Sequence, residues 1–423
     1  MKLNRQLAER TVEIDDAIEE QVRAILQDIR QNGDAAVRKY AKRFDQYDGG
    51  FLLPRTQTGV DRERDIFEDR VIAAAAEQVD CDFVRILERA KTQIEAFHEK
   101  QIGGGFEIKK PGGVVMGQLV RPLQRVAVYV PGGTASYPSS VLMNVIPAKL
   151  AGVPEIALFC PDPNREVLAA AKVCGVDTIY KLGGVQAIGA AAYGTETIRK
   201  FDKIVGPGNI WVATAKRLVY GAVDIDMVAG PSEILIIADE HADPKYVAAD
   251  LMSQAEHDTR ARAILVTTSE KLIGAVENEL ERQLAYLGRK AIIQESLQNY
   301  GAAILVDSID AAFDVSNDIA PEHLEVLLDE PMQYLDKINN AGSIFLGAYT
   351  PEPLGDYMSG TNHVLPTGGT AKFYSPLGVY DFVKFSAYSY YPRHALADFK
   401  EDVVQFAQLE GLPAHANSMK VRF

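Results

Sequence analysis

The chain has 423 residues, too many for one ordinary core, and at roughly 150 residues per domain this length predicts two or three domains. Acidic residues outnumber basic ones by 58 to 44, and the net charge of -14 argues against binding to nucleic acid or to an anionic membrane. With 47% apolar and 24% charged residues the composition is that of an ordinary globular protein, and a small molecule is the expected partner.

The cysteines and the N-terminus bear on the cellular compartment. Cys81, Cys160 and Cys174 are widely spaced and form no C-x-x-C pair, so we expect neither a disulfide framework nor a thiolate metal site. The first residues, M-K-L-N-R-Q-L-A-E-R, lack the apolar segment of a secretion signal, and no run approaches the roughly 18 apolar residues of a membrane-spanning helix. These features predict a cytoplasmic protein.

Helical and strand patterns then alternate along the chain. The first hundred residues carry apolar side chains at helical spacing and end at a glycine cluster, residues 103–105. Short β-rich runs follow, each with a helical stretch after it, at residues 125–130, 155–160, 178–182 and 203–205, and then at 233–238, 263–268, 302–306, 324–328 and 343–346. This alternation predicts an α/β fold with two doubly wound, Rossmann-like domains built on parallel sheets.

One of the predicted domains consists of two separate segments of the chain. Residues 1–24 are predicted to form an N-terminal helical arm, residues 25–118 with 233–375 the first Rossmann-like domain, and residues 119–232 the second. Residues 376–423 are predicted to form a C-terminal helical tail. From about residue 348 the chain is rich in Gly, Pro, Tyr and His, which is typical of loops that carry chemistry on a rigid scaffold.

One predicted helix places two metal-binding side-chain types close together. It begins at Asp243 and Pro244, a capping residue followed by a proline suited to the first turn, and it carries an apolar stripe over residues 247–255. At about 100° per residue, Gln254 lies at the margin of this stripe and His257 roughly 60° beyond it, so both can face one crevice. By itself a Q-x-x-H pair is more often part of the surface.

Three other stretches bring ionisable groups of complementary kinds together. P-E-H-L-E stands directly before a predicted strand, T-P-E-P-L-G-D lies in the Gly/Pro-rich region, and E-G-L-P-A-H lies near the end of the chain. Taken singly, each is typical of a solvated loop, a helix cap or a frayed tail. The pairs that they contain are Glu322 and His323, Glu352 and Asp356, and Glu410 and His415.

Together with further distinctive runs, these stretches carry a resemblance. The runs are I-V-G-P-G-N-I-W-V-A-T-A-K, V-Y-V-P-G-G-T-A-S-Y-P-S-S-V-L-M-N, S-Q-A-E-H-D, A-P-E-H-L-E and G-T-N-H-V-L-P-T-G-G-T. From about residue 95 onward the sequence closely resembles the histidinol dehydrogenase family. In that family one zinc ion per subunit is held by a Gln, two His and an Asp, donors that suit Zn²⁺. The matching positions are Gln254, His257, Asp356 and His415.

The resemblance also implies the reaction, two successive NAD-linked oxidations of L-histidinol through L-histidinal to L-histidine, the last steps of histidine biosynthesis. Hydride leaves an alcohol carbon only when a base takes the hydroxyl proton, and a second hydride leaves only after water has added to the aldehyde. The matching residues are His323 as general base and Glu322 as the group that activates water. Zinc then mainly positions the substrate.

Binding positions follow from the same resemblance. Those that match contacts to the substrate are Ser232, Gln254, His257, His323, Glu352, Asp356, Glu410 and His415. Those that match contacts to NAD are Tyr129, Gln186 and Asn209. The chain lacks G-x-G-x-x-G, although glycine turns at 132–134, 183–189 and 206–209 follow predicted strands, so NAD rests on the resemblance. Tyr129 is also explained as a core aromatic at a strand end.

The C-terminal tail has a special role in the family, because it reaches into the neighbouring subunit. Glu410 and His415 are therefore expected to complete the partner's site in a homodimer. Of the remaining histidines, His363 is expected to support the site, whereas His98, His241 and His394 are expected at the surface.

Three other functions stay open at this point. The first is a related zinc- and NAD-dependent dehydrogenase that oxidises another chelating primary alcohol. The second is a zinc hydrolase in which Glu322 activates water without a nicotinamide. The third is a non-catalytic metal-binding protein, although such a protein would be expected to have lost Glu322 or His323.

Overall fold

Two parallel sheets of five strands form the framework of the larger of two compact units. The computed structural model describes residues 2–7, 16–46, 79–132, 137–176 and 178–423. The first unit comprises Met1–Gln101 and Leu123–Phe382, and the second comprises Ile102–Pro122 and Val383–Phe423. Parts of the predicted helical region, 8–15 and 47–78, and of the glycine turn at 132–134 lie outside the described residues.

The described elements are numbered in chain order. The helices are α1 (Asp16–Tyr40), α2 (Cys81–His98), α3 (Pro138–Leu150), α4 (Arg165–Cys174), α5 (Gly184–Tyr193), α6 (Ile210–Val219), α7 (Pro244–Ala255), α8 (Glu270–Leu284), α9 (Lys290–Asn299), α10 (Ile309–Ile319), α11 (Glu352–Tyr357), α12 (Arg393–Ala397), α13 (Lys400–Leu409) and α14 (Pro413–Lys420). The strands are β1 (Phe106–Lys110), β2 (Val114–Pro122), β3 (Arg125–Tyr129), β4 (Glu155–Phe159), β5 (Thr178–Tyr180), β6 (Lys203–Val205), β7 (Asp224–Ile225), β8 (Glu233–Ala238), β9 (Arg262–Thr267), β10 (Ala302–Leu305), β11 (His323–Leu327), β12 (Ser343–Leu346) and β13 (Val383–Tyr390).

The first parallel sheet has the strand order β5-β4-β3-β6-β7. Helices α1, α5 and α6 bury their apolar side chains against one face, and α2, α3 and α4 cover the other. The predicted domain division placed residues 25–118 with the second sheet instead. Helical periodicity shows that a helix has an apolar face, but it does not show which of two sheets that face covers.

The second parallel sheet repeats the same order with strands β10-β9-β8-β11-β12. Helices α7, α8 and α9 pack on one face, while α10 and the 3₁₀ turn Pro331–Lys337 pack on the other. All six residues of β8 are buried, as is typical of a central strand covered on both faces. In both sheets the strand order reverses beside the first strand, between β3 and β6 and between β8 and β11.

These sheets confirm the predicted fold class, since each of the nine predicted strands is present and its ends differ from the prediction by two residues at most. The start of α7 is also as predicted, because the Asp243 side chain accepts a hydrogen bond from the Lys245 backbone and Pro244 occupies the first turn. The apolar stripe of this helix is buried in the core. His98, expected at the surface, is instead completely buried and hydrogen-bonded to Gln101, because it shares the inner face of α2 with Ile94.

The second unit contains an antiparallel sheet that the sequence patterns did not predict. Its strand order is β1-β2-β13, and it is accompanied by helices α12, α13 and α14. All five residues of β1 are exposed, so this strand has no buried alternating face to identify it. The aromatic stretch Tyr388–Tyr391, which follows Lys384, largely belongs to β13 rather than to a helical tail.

The three cysteines form no disulfide bond, as their spacing predicts. Cys81, Cys160 and Cys174 are all free thiols, and burial raises the pKa of Cys160 and of Cys174 to about 12, which leaves both unreactive at neutral pH. Among the helices of the described ranges, none combines the length and the apolar character needed to cross a bilayer.

Candidate active site

A cavity of about 230 Å³ lies in the first unit, where the carboxyl end of one sheet faces the amino end of the other. The turn Gly206–Gly208 after β6 lines one side of it. The residues Glu322 and His323 at the start of β11 line another side. Other residues that line the cavity are Lys216, Asp226, Gly230, Ser232, Gln254, His257, Asp356, His363 and Thr367.

His323, the first residue of β11, has one ring nitrogen fixed and the other open. Its Nδ1 lies 2.9 Å from the carbonyl oxygen of Glu233, and because a carbonyl can only accept, Nδ1 must carry the proton. Nε2 then carries the lone pair, and it has no hydrogen-bond partner among the described residues. The nearest acid to it is Glu352, whose Oε1 lies 3.7 Å away. A neutral imidazole with this orientation can accept a proton from a group in the cavity.

Burial sets the charge of both members of the Glu-His pair. It lowers the pKa of His323 to about 4, although the nearby Asp356 carboxylate acts in the opposite direction, so the ring is neutral at pH 7. Burial also raises the pKa of Glu322 well above its ordinary value, although the Glu233 amide donates a 2.8 Å hydrogen bond to its Oε2. A carboxyl group with a raised pKa is a stronger proton acceptor near neutral pH than an exposed one.

Glu352 begins helix α11 and is almost completely buried. Its backbone amide donates a 2.8 Å hydrogen bond to Glu325 Oε1, which fixes the start of the helix, and Ser253 Oγ donates to its Oε2 at 3.3 Å. Burial, with the neighbouring Asp356 carboxylate, raises the pKa of Glu352 to about 8. The helix also packs tightly, because a Cβ at Gly355 would lie 2.4 Å from the Phe345 ring.

Gln254 ends the buried side of α7 and has an amide that is left unpaired. Only 1% of the residue is exposed, and neither its Nε2 nor its Oε1 has a hydrogen-bond partner of normal geometry among the described residues. A buried amide without a partner of normal geometry is costly and rare, so the Gln254 side chain is suited to bind a ligand. Helix α7 ends at Ala255, and His257 follows it on an exposed turn that lines the same cavity.

Several donor side chains in the cavity lie close enough together to bind one metal ion. One donor atom each of His323, Glu352 and Asp356 lies within 4.8 Å of the others. Of the four ligands implied by the resemblance, Asp356 belongs to this group, and Gln254 and His257 line the same cavity. Imidazole, carboxylate and amide donors around an unpaired Gln254 oxygen fit a borderline cation such as Zn²⁺.

His363 also contributes to this side of the cavity. Its Nδ1 lies 3.2 Å from the Asp356 carbonyl oxygen, to which it donates, and 3.8 Å from an oxygen of the Asp356 carboxylate. Burial lowers the pKa of His363, so this ring is kept neutral. Its position beside Asp356 agrees with the supporting role expected from the N-H-V-L-P loop.

Of the other three positions implied for the substrate, one lines the cavity and two lie in the second unit. Ser232 lines the cavity just before β8, and its carbonyl accepts a hydrogen bond from Arg262. Glu410 and His415 lie in the second unit, Glu410 at the end of α13 and His415 in the first turn of α14, and both are exposed.

The three positions implied for NAD lie on the first sheet near its carboxyl edge, and none of them lines the described cavity. Tyr129 ends β3, and its hydroxyl accepts a 3.0 Å hydrogen bond from the Gly184 amide. Gln186, in the first turn of α5, donates to Asp45 at 2.9 Å. Asn209 caps α6 by accepting from two backbone amides. Tyr129 also packs in the core, as the alternative interpretation has it.

The sequence patterns did not predict two pairs of buried charged residues near the site. One is Lys216 with Asp226, whose side chains are 4% and 2% exposed, at the cavity. The other is Glu325 with Asp250 behind α11, where burial raises the pKa of both carboxyls. Lys216 stands on the apolar face of α6 in A-T-A-K-R-L-V, and a charged residue at a core position is the signal that could have identified it.

Comparisons with known proteins identify the family of the chain. Residues 8–423 match the family model described as histidinol dehydrogenase. The histidinol dehydrogenase of Lactococcus lactis subsp. lactis is 60% identical over 422 residues, which cover 98% of this chain and 95% of that protein, and that of Clostridium acetobutylicum is 55% identical over 95% and 91%.

A solved structure is similar as well. The crystal structure of histidinol dehydrogenase from Elizabethkingia anophelis aligns with a TM-score of 0.89 and 38% identity, covering 98% of this chain and 94% of that one. Both the sequence and the arrangement of the two sheets are therefore shared with this family over nearly the whole length. The chain belongs to the histidinol dehydrogenase family.

Proposed function

We propose that this chain oxidises L-histidinol to L-histidine in two NAD-linked steps, the last steps of histidine biosynthesis. The observation that carries the proposal is that a neutral His323 with an unpaired Nε2 and a Gln254 with an unpaired amide line one cavity. Family membership supports the substrate and the nicotinamide cofactor. The three free cysteines agree with the cytoplasmic location included in the proposal.

In this proposal the residues of the chain bind the metal ion, orient the substrate and transfer protons. Gln254, His257 and Asp356 would hold a zinc ion, with His415 of a second copy as the fourth protein ligand. A bound zinc ion would supply a positively charged anchor for the substrate, and bound NAD⁺ would supply the hydride acceptor. His323 Nε2 accepts the proton of the alcohol hydroxyl, and the nearby Asp356 carboxylate stabilises the imidazolium that results.

The second oxidation needs a water molecule and a second proton acceptor. Glu322 is adjacent to His323, with its Oε2 only 3.6 Å from the ring nitrogen Nδ1. Its raised pKa makes it suited to take a proton from water as the oxygen adds to the aldehyde carbon. Each oxidation then releases one hydride and one proton from the substrate, and the added water supplies the second oxygen of the carboxylate.

The stoichiometry of the reaction tests this proposal. Purified protein incubated with L-histidinol and excess NAD⁺ should form two NADH per histidinol consumed and one L-histidine. A chelator should abolish this activity and Zn²⁺ should restore it. One NADH per substrate, with an aldehyde as the final product, would contradict the second oxidation, and hydrolysis without NADH would favour the zinc hydrolase.

The raised pKa of Glu352 predicts how zinc affinity depends on pH. Since this pKa is raised from 4.5 to about 8, the metal-free protein keeps the carboxyl protonated between those values. A cation bound beside it favours the carboxylate, so binding releases a proton and zinc affinity should increase with pH over that range. Calorimetry in two buffers of different ionisation enthalpy counts the protons. In Glu352→Gln the count should be lower by about one, whereas an unchanged count would contradict the assignment.

The homodimer is the remaining part of the proposal, with Glu410 and His415 completing the site of a second copy. Both residues are exposed on helices that also expose large apolar side chains. These are Phe406, Leu409, Leu412 and Val421, from 40% to 81% exposed. Several exposed apolar residues on adjacent helices are typical of a surface covered by another chain.

Mixed dimers test whether the site is shared. His323→Asn and His415→Ala are each expected to inactivate the protein. When the two variants are mixed after dissociation, a heterodimer has one site with both histidines intact, so about a quarter of wild-type activity should return for random pairing. If the mixture stays as inactive as its components, His415 serves its own chain or no site at all.

A further inference from the structure

A buried lysine and a buried aspartate together bind both backbone polar groups of Gly206. The Gly206 amide donates a 2.8 Å hydrogen bond to Asp226 Oδ2, and the Gly206 carbonyl accepts one of 2.9 Å from Lys216 Nζ. Lys216 and Asp226 also form a direct ion pair, and Asp226 Oδ1 accepts from the Met227 amide at 2.7 Å. This arrangement is named the Gly206 clamp.

Stability alone does not explain why two charges are buried here. Removing a lysine and an aspartate from water is costly, and a well-packed apolar pair of similar size is often at least as stable. Such ion pairs can instead determine which of several local arrangements is adopted. The Gly206 clamp fixes the backbone at a single residue, so its effect is concentrated on the turn that begins there.

That turn lies where the first sheet reverses its strand order, and it is tightly constrained. Gly206 has a φ of +113°, and a Cβ on it would lie 2.1 Å from the Tyr129 carbonyl oxygen, so the ends of β3 and β6 are in close contact. The turn lines the cavity through Pro207 and Gly208 and leads into Asn209, which caps α6. Open α/β sheets bind their ligands at such a point.

We propose that Lys216 and Asp226 are positioning residues for the dinucleotide, because the clamp they form on Gly206 holds the turn 206–209 in the conformation that receives NAD⁺. This inference rests on the proposed function for its cofactor, and it adds two residues that act through the backbone of Gly206. Their contribution is to the affinity for the cofactor rather than to the proton transfers at His323.

The variant Lys216→Met removes the donor to the Gly206 carbonyl while keeping much of the side-chain volume. We expect KM for NAD⁺ and the dissociation constant of NADH to rise about ten- to a hundredfold, the scale of a misplaced binding element. KM for L-histidinol and kcat at saturating NAD⁺ should change little. Steady-state kinetics and fluorescence titration of NADH measure these quantities.

Lys203→Met is a matched control at the start of β6, the strand that leads into Gly206. Lys203 is also a buried lysine, 6% exposed, and it pairs with Asp224 at 2.9 Å, but it begins β6 at the opposite edge of the sheet and does not line the cavity. Loss of a buried cation should lower the unfolding temperature of both variants. Only Lys216→Met should weaken the binding of NADH.

The double variant Lys216→Met with Asp226→Asn separates positioning from stability. It leaves no unpaired charge and keeps an oxygen acceptor for the Gly206 amide, although the Met227 amide loses its own acceptor. The unfolding temperature should therefore recover in part while the NADH dissociation constant stays high. If the double variant recovered both the unfolding temperature and the NADH affinity, the inference would be overturned. An equal loss of NADH affinity in Lys203→Met would also overturn it. Equal NADH affinities of wild type and Lys216→Met would do the same, whereas absence of histidinol-dependent NADH formation by wild type contradicts the proposed function instead.

Discussion

Replacing His323 by Asn is expected to lower kcat for histidinol oxidation by about a hundredfold to ten-thousandfold, the range of a lost general base. The Asn amide nitrogen can still donate to the Glu233 carbonyl, so the packing at the start of β11 should be retained. What is lost is the unpaired Nε2 that faces the cavity. Because the proposed zinc ligands are other residues, zinc content should stay near one ion per chain.

The controls for this prediction are a second buried histidine and a metal analysis. His98 is completely buried and hydrogen-bonded to Gln101, so His98→Asn reports the general effect of removing a core imidazole. Initial rates of NADH formation and zinc content by elemental analysis should be measured for both variants. Turnover of His323→Asn within about tenfold of wild type, with zinc retained, would contradict the role of His323 as the base.

Replacing His257 by Asn is expected to remove zinc with little loss of fold. His257 is exposed on the turn after α7, so its side chain contributes little to the core, yet it lines the cavity beside Gln254. Loss of a direct ligand should weaken zinc binding by more than the roughly 10- to 100-fold typical of losing a residue that only supports a ligand. Histidinol-dependent NADH formation should fall with zinc content and recover in part at high Zn²⁺.

His241→Asn is the control for this variant, because His241 is an exposed histidine just before the same helix. It should keep zinc content, activity and unfolding temperature at wild-type values. Full zinc occupancy and activity of His257→Asn after dialysis against a weak chelator would exclude His257 as a ligand.

The sequence predicted the two parallel sheets because their strands are buried on both faces. A run such as E-I-L-I-I-A has no polar position after its first residue, and turn residues and helical patterns bound each such run. The antiparallel sheet of β1, β2 and β13 escaped prediction for the opposite reason. In β13 the pattern V-K-F-S-A-Y-S-Y is exposed or partly exposed at every residue, so there is no core-facing alternation to detect.

The site was predictable in its residue types and less so in its geometry. The resemblance supplied Gln254, His257, Glu322, His323 and Asp356, and these five line one cavity. Spacing alone could not show that Gln254 is buried with its amide unpaired. Nor could the usual rule, that ligands bind at the carboxyl ends of parallel strands, place Glu322 and His323 at the amino end of β11.

The helices and buried charges around the site show the same limit. The apolar faces of α1 and α2 were evident, but the sheet that they cover depends on the whole chain fold. Lys216 and Asp226 are ten residues apart in the chain and come together because α6 connects the parallel neighbours β6 and β7. Local patterns do not contain such long-range pairing.

Anomalous diffraction at the zinc edge from crystals grown with L-histidinol tests the central claim most directly. We expect one peak per chain, with donor atoms of Gln254, His257 and Asp356 at about 2.0–2.2 Å from the zinc ion. The alcohol carbon of the substrate should lie beside His323 Nε2. A zinc ion bound by other residues, or a substrate bound away from His323, would contradict the account.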